Sequence, residues 1–134
     1  MRMSKTQASL VSIVEDDRFF RESMRRLMRS LGYSVEVFPS AAAFLDSPRL
    51  ANTAVLIADI YMPAMTGLEL FRNLVNMGRP IPTILMTSYP DAGVEARALS
   101  EGVVGYLRKP VDEQHLVRCL SAALQCDEAT EQNS

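Results

Sequence analysis

The run Ala54-Val55-Leu56-Ile57-Ala58 constrains the fold of this chain more than any other segment. All of its residues are apolar, without the alternation of a strand that has one solvated face. An uninterrupted apolar run of this length is typical of a strand covered on both faces, as in a parallel sheet. Thr83–Thr87 is a second strand of the same kind. The sequence therefore predicts a parallel sheet between layers of helices.

Short apolar runs and segments with helical periodicity alternate along the rest of the chain. Further strands are predicted at Leu10–Val14, Ser34–Phe38 and 103–107. The predicted inward faces of the last two helices are Val94, Ala98 and Leu99, then Leu116, Val117, Leu120 and Leu124. Strands that alternate with helices imply right-handed crossovers and helices on both faces of the sheet. The ligand site of such a sheet lies at the carboxyl ends of its strands.

Length and charge narrow the possible functions. The chain has 134 residues and a formal net charge of −2, which fits one compact domain that is not built to bind nucleic acid. We predict this domain over residues 1–126 and a polar tail over 127–134. No apolar run has the length of a membrane span or signal sequence, and Cys119 and Cys126 lack zinc-site spacing. We therefore expect a cytoplasmic protein that does not bind a membrane.

Charged and hydroxyl side chains follow four of the predicted strands: Glu15, Asp16 and Asp17; Asp59; Thr87 and Ser88; and Lys109. Carboxylates that converge in one pocket repel one another and need a cation. Oxygen ligands without His or Cys favour a hard ion, Mg²⁺ first and Mn²⁺ second. Beside such an ion and Lys109, Asp59 can attack phosphorus, and Thr87 can donate to a phosphoryl oxygen. Each residue alone is more often a turn or cap residue, so the combination carries the prediction.

Four motifs carry a family resemblance: Ser12-Ile13-Val14-Glu15-Asp16-Asp17, Asp59-Ile60-Tyr61-Met62-Pro63 with Gly67, Leu85-Met86-Thr87-Ser88, and Tyr106-Leu107-Arg108-Lys109-Pro110. Over roughly residues 9–124 the chain resembles the receiver domain of bacterial two-component response regulators. It is most similar to receivers that precede LuxR-type helix-turn-helix domains, on Phe38-Pro39-Ser40-Ala41, Phe44-Leu45 and Ala98-Leu99-Ser100-Glu101-Gly102. The resemblance implies a flavodoxin-like (βα)5 α/β fold, a doubly wound five-stranded parallel sheet in the order 2-1-3-4-5.

The resemblance also implies a role for each matching residue. Asp59 is the expected phosphoacceptor, and Thr87 and Lys109 are expected to contact the phosphoryl group. Asp16 and Asp59 are the expected direct Mg²⁺ carboxylates. Tyr61 is expected to add its backbone carbonyl to this metal site.

Two acidic neighbours differ in their expected roles. Glu15 stands where Asp is common in the family, and its longer side chain is expected to reach the metal through water. Asp17 lies one residue beyond the acidic pair and is expected to cap the first helix. The peptide bond between Lys109 and Pro110 is expected to be cis, as the family has it.

A conformational switch and its partners follow from the same resemblance. Thr87 and Tyr106 are the expected switch pair, and phosphorylation is expected to change the face of the fourth helix, fifth strand and fifth helix. The expected partners are a sensor histidine kinase or phosphotransfer protein and, on phosphorylation, a second copy of the chain. Tyr61 and Tyr89 are expected to flank the path of the attacking water, so hydrolysis of the acyl phosphate is expected to be slow.

Other functions of this fold class fit the residues less well. A flavodoxin-like FMN protein needs a Ser/Thr/Gly-rich phosphate loop where Glu15-Asp16-Asp17 stands. A phosphatase with an aspartyl intermediate needs a general acid at the position of Tyr61. The alternative is a pseudo-receiver that binds partners without being phosphorylated, and the complete set of acids, hydroxyl and lysine argues against it. The sequence is compatible with a stand-alone regulator and with a fragment of a transcriptional regulator.

Overall fold

A computed structural model describes residues 9–133, and its side chains as far as residue 125. Within these residues one parallel sheet has the strand order β2-β1-β3-β4-β5. Its strands are β1 (Leu10–Val14), β2 (Ser34–Phe38), β3 (Thr53–Asp59), β4 (Thr83–Thr87) and β5 (Gly105–Arg108). The fold class and the strand order expected from the sequence are confirmed.

The helices connect these strands and cover the sheet. They are α1 (Arg18–Ser30), α2 (Ala41–Leu45), α3 (Gly67–Asn76), α4 (Ala92–Glu101) and α5 (Glu113–Asn133), with a 3-10 helix at Pro48–Asn52. The backbone of α5 includes most of the segment predicted as a polar tail. In the part of the chain that the structure describes, no helix combines the length and apolar content needed to span a bilayer.

Each face of the sheet buries its own apolar cluster. Val55 and Ile57 of β3 belong to the cluster that includes residues of α1 and α5. Leu56 and Ala58 belong to the cluster that includes residues of α2, α3 and α4. Because successive residues of β3 enter opposite cores, every position must be apolar, which explains the uninterrupted run in the sequence.

Helix ends use the capping chemistry that the sequence offers. Asp17 is the N-cap of α1, and its Oδ1 accepts hydrogen bonds from the backbone N–H groups of Phe19 at 2.9 Å and Phe20 at 3.2 Å. The expected capping role of Asp17 is therefore confirmed. Gly102 ends α4 with a φ of 113°, a left-handed conformation that glycine adopts without steric penalty.

Three sequence expectations about strand and helix faces are wrong. β5 starts at Gly105 rather than at 103, because the N–H of Val103 donates to the carbonyl of Ala98 and closes α4. Leu99 and Val117 are exposed. A helix turns about 100° per residue, so each lies to the side of the buried stripe of its own helix. Cys119, which the predicted stripe omits, is buried on α5 as a free thiol; the side chain of Cys126 lies outside the described part.

Candidate functional site

Three carboxylates meet at the carboxyl edge of the sheet. Glu15, Asp16 and Asp59 each offer an oxygen, and these oxygens all lie within 4.8 Å of one another. Val14 pairs with Ala58 in the β1–β3 ladder, so the acids that follow these residues emerge side by side. The structure thus brings together acids that lie far apart in the sequence.

Lys109 joins two of these acids. Its Nζ donates to Oδ2 of Asp59 at 2.8 Å and to Oε2 of Glu15 at 2.9 Å. The Phe20 ring lies beneath the ammonium, with its centroid 4.2 Å from Nζ. A cation over an aromatic face is attracted by the ring quadrupole, so Phe20 helps to hold the lysine in place. The peptide bond between Lys109 and Pro110 is cis, as expected.

Glu15 is the most deeply buried member of this cluster. Its Oε1 accepts a hydrogen bond from the N–H of Asp17 at 3.0 Å, and Lys109 donates to its other oxygen. Burial raises the pKa of Glu15 to about 7; the hydrogen bonds from Lys109 and Asp17 oppose this shift, and the nearby Asp59 adds to it. Both carboxylate oxygens already have protein donors, and the water-mediated metal contact of Glu15 stays a prediction.

The pKa of Lys109 depends on burial and on its two acidic partners. Burial lowers it, but the hydrogen bonds to Asp59 and Glu15 and their negative charges outweigh burial and raise the pKa above its ordinary value. The ammonium therefore stays charged at neutral pH. It is placed to neutralise charge beside Asp59.

Thr87 ends the neighbouring strand β4. Its side chain is buried, and its Oγ accepts a hydrogen bond from the N–H of Tyr89 at 2.9 Å. This bond uses a lone pair of the oxygen, so the hydroxyl hydrogen can donate to an incoming group. Met86 pairs with Asp59 in the β3–β4 ladder, which places Thr87 at the same edge of the sheet as the carboxylates.

Tyr106 connects β5 to the start of α4. Its ring is buried, and its hydroxyl oxygen accepts a hydrogen bond from the N–H of Asp91 at 3.1 Å. Asp91 is the N-cap of α4 and accepts from the N–H of Val94 at 3.0 Å. A strand side chain is thus bonded directly to a helix end.

Two tyrosine rings stand on the loops that follow β3 and β4. The rings of Tyr61 and Tyr89 contact each other edge to face, with centroids 6.0 Å apart. Both are open to solvent, with exposed fractions of 46% and 72%. The N–H of Tyr61 also donates to Oδ1 of Asp59 at 3.2 Å, while the role of its carbonyl as a metal ligand stays a prediction.

Sequence reasoning missed some neighbours of the site. Phe20 has the spacing of a core residue, and nothing in the sequence indicates its contact with Lys109. Arg21 donates from Nη1 to the carbonyl of Glu15 at 2.7 Å, which fixes the end of β1. Ala64, in the loop after Asp59, has a φ of 70°, a left-handed conformation that an alanine adopts at an energetic cost.

The donor set of this pocket fits a hard divalent cation. The three carboxylates supply only oxygen atoms, and Asp16 is exposed, which leaves room for water in the coordination shell. The described residues bring no thiol or imidazole into this group. Mg²⁺ therefore suits the pocket better than a softer metal.

The fold and the pocket together define a class of protein. It is a flavodoxin-like α/β domain whose carboxyl edge is built from carboxylates and a lysine instead of a phosphate-binding loop. Comparison with known proteins gives the family: residues 11–121 match the response regulator receiver domain.

Relatives and solved structures agree with this match. The response regulator protein TodT of Pseudomonas putida is 36% identical over 124 residues, which cover 92% of this chain and 55% of TodT. The structure of the response regulator StyR superposes with a TM-score of 0.86 at 34% identity, over 94% of this chain and 64% of StyR. The structure of FixJ-N superposes with a TM-score of 0.77 at 30% identity, over 87% of this chain and 94% of that one.

The chain belongs to the response regulator receiver domain family. Receiver domains are phosphorylation-dependent signalling switches of two-component systems rather than conventional enzymes, and they bind Mg²⁺ through an acidic pocket. The chain spans about half the length of the curated relatives it matches.

Proposed function

We propose that this chain receives a phosphoryl group on Asp59 from a histidine kinase or phosphotransfer protein, in a reaction that depends on Mg²⁺. The observation that carries the proposal is the position of Asp59, which shares Lys109 with Glu15 and lies beside Asp16 at the edge of the sheet. A carboxylate with an ammonium at 2.8 Å is held in place for attack, and the ammonium can neutralise negative charge on the phosphoryl oxygens.

The chain's own residues account for most of the transfer. An oxygen of Asp59 attacks phosphorus, and the electron pair of the broken bond leaves with the donor. Lys109 donates to one phosphoryl oxygen and the Thr87 hydroxyl to another. Mg²⁺, held by Asp16, Asp59 and the carbonyl of Tyr61, supplies the remaining charge neutralisation when it is bound.

The decisive measurement is the intact mass of the protein after incubation with Mg²⁺ and acetyl phosphate. We expect one added phosphoryl group on the wild type and on Asp46→Asn, a matched change at an exposed acid directly after α2. No addition is expected for Asp59→Asn or in the presence of EDTA. Absence of the adduct on a folded wild-type protein would favour the pseudo-receiver, which signals by binding alone.

A variant of Asp16 distinguishes an effect on metal binding from an effect on folding. Because Asp16 is exposed, Asp16→Asn is expected to keep the urea midpoint within error and to weaken Mg²⁺ binding by about tenfold or more. Isothermal titration calorimetry with MgCl₂ measures this loss, with Asp46→Asn as the control. Unchanged Mg²⁺ affinity in Asp16→Asn would remove Asp16 from the proposed ligand set.

The switch is proposed to use Thr87 and Tyr106. A phosphoryl group on Asp59 draws Thr87 inward. Tyr106 then breaks its hydrogen bond with Asp91, and its ring moves to a new position. This rearrangement changes the face of α4, β5 and α5, the proposed surface for an output partner or a second copy of the chain. Hydrogen exchange at the N–H of Asp91 is expected to speed up on phosphorylation, and less so in Thr87→Ala.

The lifetime of the phosphorylated state is proposed to depend on Tyr61 and Tyr89. Neither side chain offers a carboxylate or carboxamide to orient a water molecule. Both belong to the loops that follow β3 and β4, next to Asp59. The double variant Tyr61→Asn, Tyr89→Ala is expected to lose its phosphoryl group several-fold faster. An unchanged decay rate, followed by intact mass, would contradict this role.

The proposal includes a cytoplasmic location, which suits the buried free thiol of Cys119. It also includes an output domain in the whole protein, because the match covers only 55% and 58% of the length of two of the relatives. The domain is not proposed to contact nucleic acid directly.

A further inference from the structure

Phe20 of α1 lies against the ammonium of Lys109. Its ring centroid is 4.2 Å from Nζ, within the range in which a ring face attracts a cation. The ring is partly buried and packs against the apolar cluster that includes residues of α1 and α5. This packing holds the ring from the side of the core. Phe20 therefore presents a face whose position does not depend on the lysine.

The start of α1 also holds Glu15, one of the two acidic partners of this lysine. The N–H of Asp17 donates to Oε1 of Glu15 at 3.0 Å, and Nη1 of Arg21 donates to the Glu15 carbonyl at 2.7 Å. Both contacts are independent of Lys109. Glu15 can therefore release the ammonium and still keep hydrogen-bond donors of its own.

Phosphoryl transfer requires the ammonium to change its hydrogen bonds. Each of these bonds has a preferred direction, and Asp59 and Glu15 are the acceptors in this structure. A phosphoryl oxygen on Asp59 is a new acceptor in a different direction. The attraction between a cation and a ring face acts between a charge and a quadrupole, and it tolerates rotation of the ammonium. The contact with Phe20 can therefore persist while the hydrogen bonds are exchanged.

We propose that Phe20 is a positioning residue for phosphoryl transfer: its ring keeps the Lys109 ammonium in the pocket while the lysine exchanges Glu15 for a phosphoryl oxygen. This inference rests on the proposed function of Asp59 as phosphoacceptor. Before the transfer, two carboxylates fix the ammonium with or without the ring. During the transfer one of them is released, and the ring then keeps the ammonium from turning to water. The rate of transfer therefore depends on the ring more than the resting geometry does.

The test measures the second-order rate constant for phosphorylation by acetyl phosphate at one Mg²⁺ concentration, followed by intact mass. An oxygen of Asp59 forms a bond to phosphorus while the bond from phosphorus to the acyl oxygen breaks, and the electron pair of that bond leaves on acetate. Phe20→Leu removes the ring but keeps apolar bulk. Phe20→pentafluorophenylalanine keeps the ring but reverses the charge distribution of its face. The matched control is Phe19→pentafluorophenylalanine, at a neighbouring residue of α1 that is 85% exposed.

We expect both Phe20 variants to lower this rate constant by about two- to tenfold, the effect of one partly desolvated cation–π contact. Phe20→Tyr keeps the ring face and is expected to keep most of the rate, and the Phe19 variant is expected to match the wild type. Mg²⁺ affinity, measured by calorimetry, is expected to stay unchanged because no carboxylate is removed. A fluorinated Phe20 that supports the wild-type rate would overturn the inference, even if leucine slows the transfer, because packing alone would explain the leucine result.

Nuclear magnetic resonance adds a readout of the contact itself. The sequence contains two lysines, Lys5 and Lys109, so isotope labelling of lysine gives few signals, and Lys5→Arg assigns them. The ε-methylene protons of Lys109 are expected upfield of ordinary lysine protons because of the ring current of Phe20. They are expected to stay upfield during steady-state phosphorylation in excess acetyl phosphate.

Two outcomes separate this inference from the proposed function. Return of the Lys109 protons to ordinary positions in the phosphorylated protein would show that the lysine leaves the ring, and would overturn the inference alone. Failure of acetyl phosphate to phosphorylate Asp59 in folded wild-type protein would overturn the proposed function, and the inference with it. Urea denaturation checks that each variant is folded, and the fluorinated variant carries the test if Phe20→Leu is not.

Discussion

Two clusters of opposite charges in this domain have nearly the same geometry and different surroundings. Lys109 donates to Asp59 and Glu15 at 2.8 and 2.9 Å, and Arg72 donates to both oxygens of Glu101 at 2.7 Å. The Lys109 cluster is largely buried at the carboxyl edge of the sheet, whereas the Arg72 pair bridges α3 and α4 in contact with solvent. Hydrogen-bond length therefore does not indicate which cluster contributes more to stability.

Burial separates the chemistry of the two clusters. Glu15 has its pKa raised to about 7, chiefly because burial disfavours its charge. The pKa of Glu101 is lowered, chiefly by its hydrogen bond from Arg72. A buried charge depends on its partner, while an exposed one can exchange its partner for water. Variants of the two clusters should therefore differ in size of effect and in response to pH and salt.

Lys109→Met is expected to have the largest effect. It leaves Glu15 and Asp59 without their shared donor in a buried site, so the free energy of unfolding is expected to fall by about 1–3 kcal/mol at pH 8. Phosphorylation of Asp59 is expected to be lost with it. Urea denaturation and intact mass measure the two effects, and Arg108→Met, at the exposed neighbouring residue, is the control. If Lys109→Met is as stable as the wild type, the buried cluster does not depend on its lysine for stability.

Glu15→Gln is expected to change the pH dependence of stability. The folded protein holds the Glu15 proton more tightly than the unfolded chain, because its pKa rises from 4.5 to about 7. This contribution to stability is full below pH 4.5 and is lost as the pH rises through about 7.

In the presence of EDTA, the wild type is expected to lose roughly 2–3 kcal/mol between about pH 5 and about pH 8 from this group. Glu15→Gln is expected to flatten that part of the profile, while Glu113→Gln, a change at an exposed acid of α5, is expected to keep it. Parallel profiles for the wild type and Glu15→Gln would assign the pH dependence to other groups.

Arg72→Ala is expected to have the smallest effect. Both side chains are partly exposed, so water and salt ions can replace the interaction when the arginine is removed. The urea midpoint is expected to stay within error of the wild type at low and at high salt. A clear loss of stability would mean that this bridge between α3 and α4 is stronger than its exposure allows.

The sequence predicts most of the fold because the fold depends on local patterns. β1, β2 and β4 have the predicted limits, since β1 and β4 are largely apolar runs and β2 alternates polar and apolar residues before Pro39. β5 differs because the N–H of Val103 bonds within the end of α4, which no strand pattern reports. Leu99 and Val117 are misplaced because an apolar residue beside a buried stripe looks the same in sequence as one within it.

The same distinction between local patterns and tertiary contacts applies to the candidate site. Five site residues can be placed at one edge of the sheet because each ends or follows a predicted strand: Glu15, Asp16, Asp59, Thr87 and Lys109. The contact of Phe20 with Lys109 and the contact between Tyr61 and Tyr89 depend on how side chains from separate loops meet. Such pairings leave no periodic signal and need the three-dimensional structure.

A hydrogen bond joins Tyr106 to Asp91, the N-cap residue of α4. The N–H of Asp91 donates to the tyrosine hydroxyl at 3.1 Å. A neutral hydrogen bond of this kind contributes about 0.5–1.5 kcal/mol net, so its loss changes the ratio of two conformations by about two- to tenfold. If Tyr106 leaves this bond on phosphorylation, as proposed, the loss of the bond alone changes the two populations by no more than that factor, and partners that bind one conformation would supply the rest of the shift.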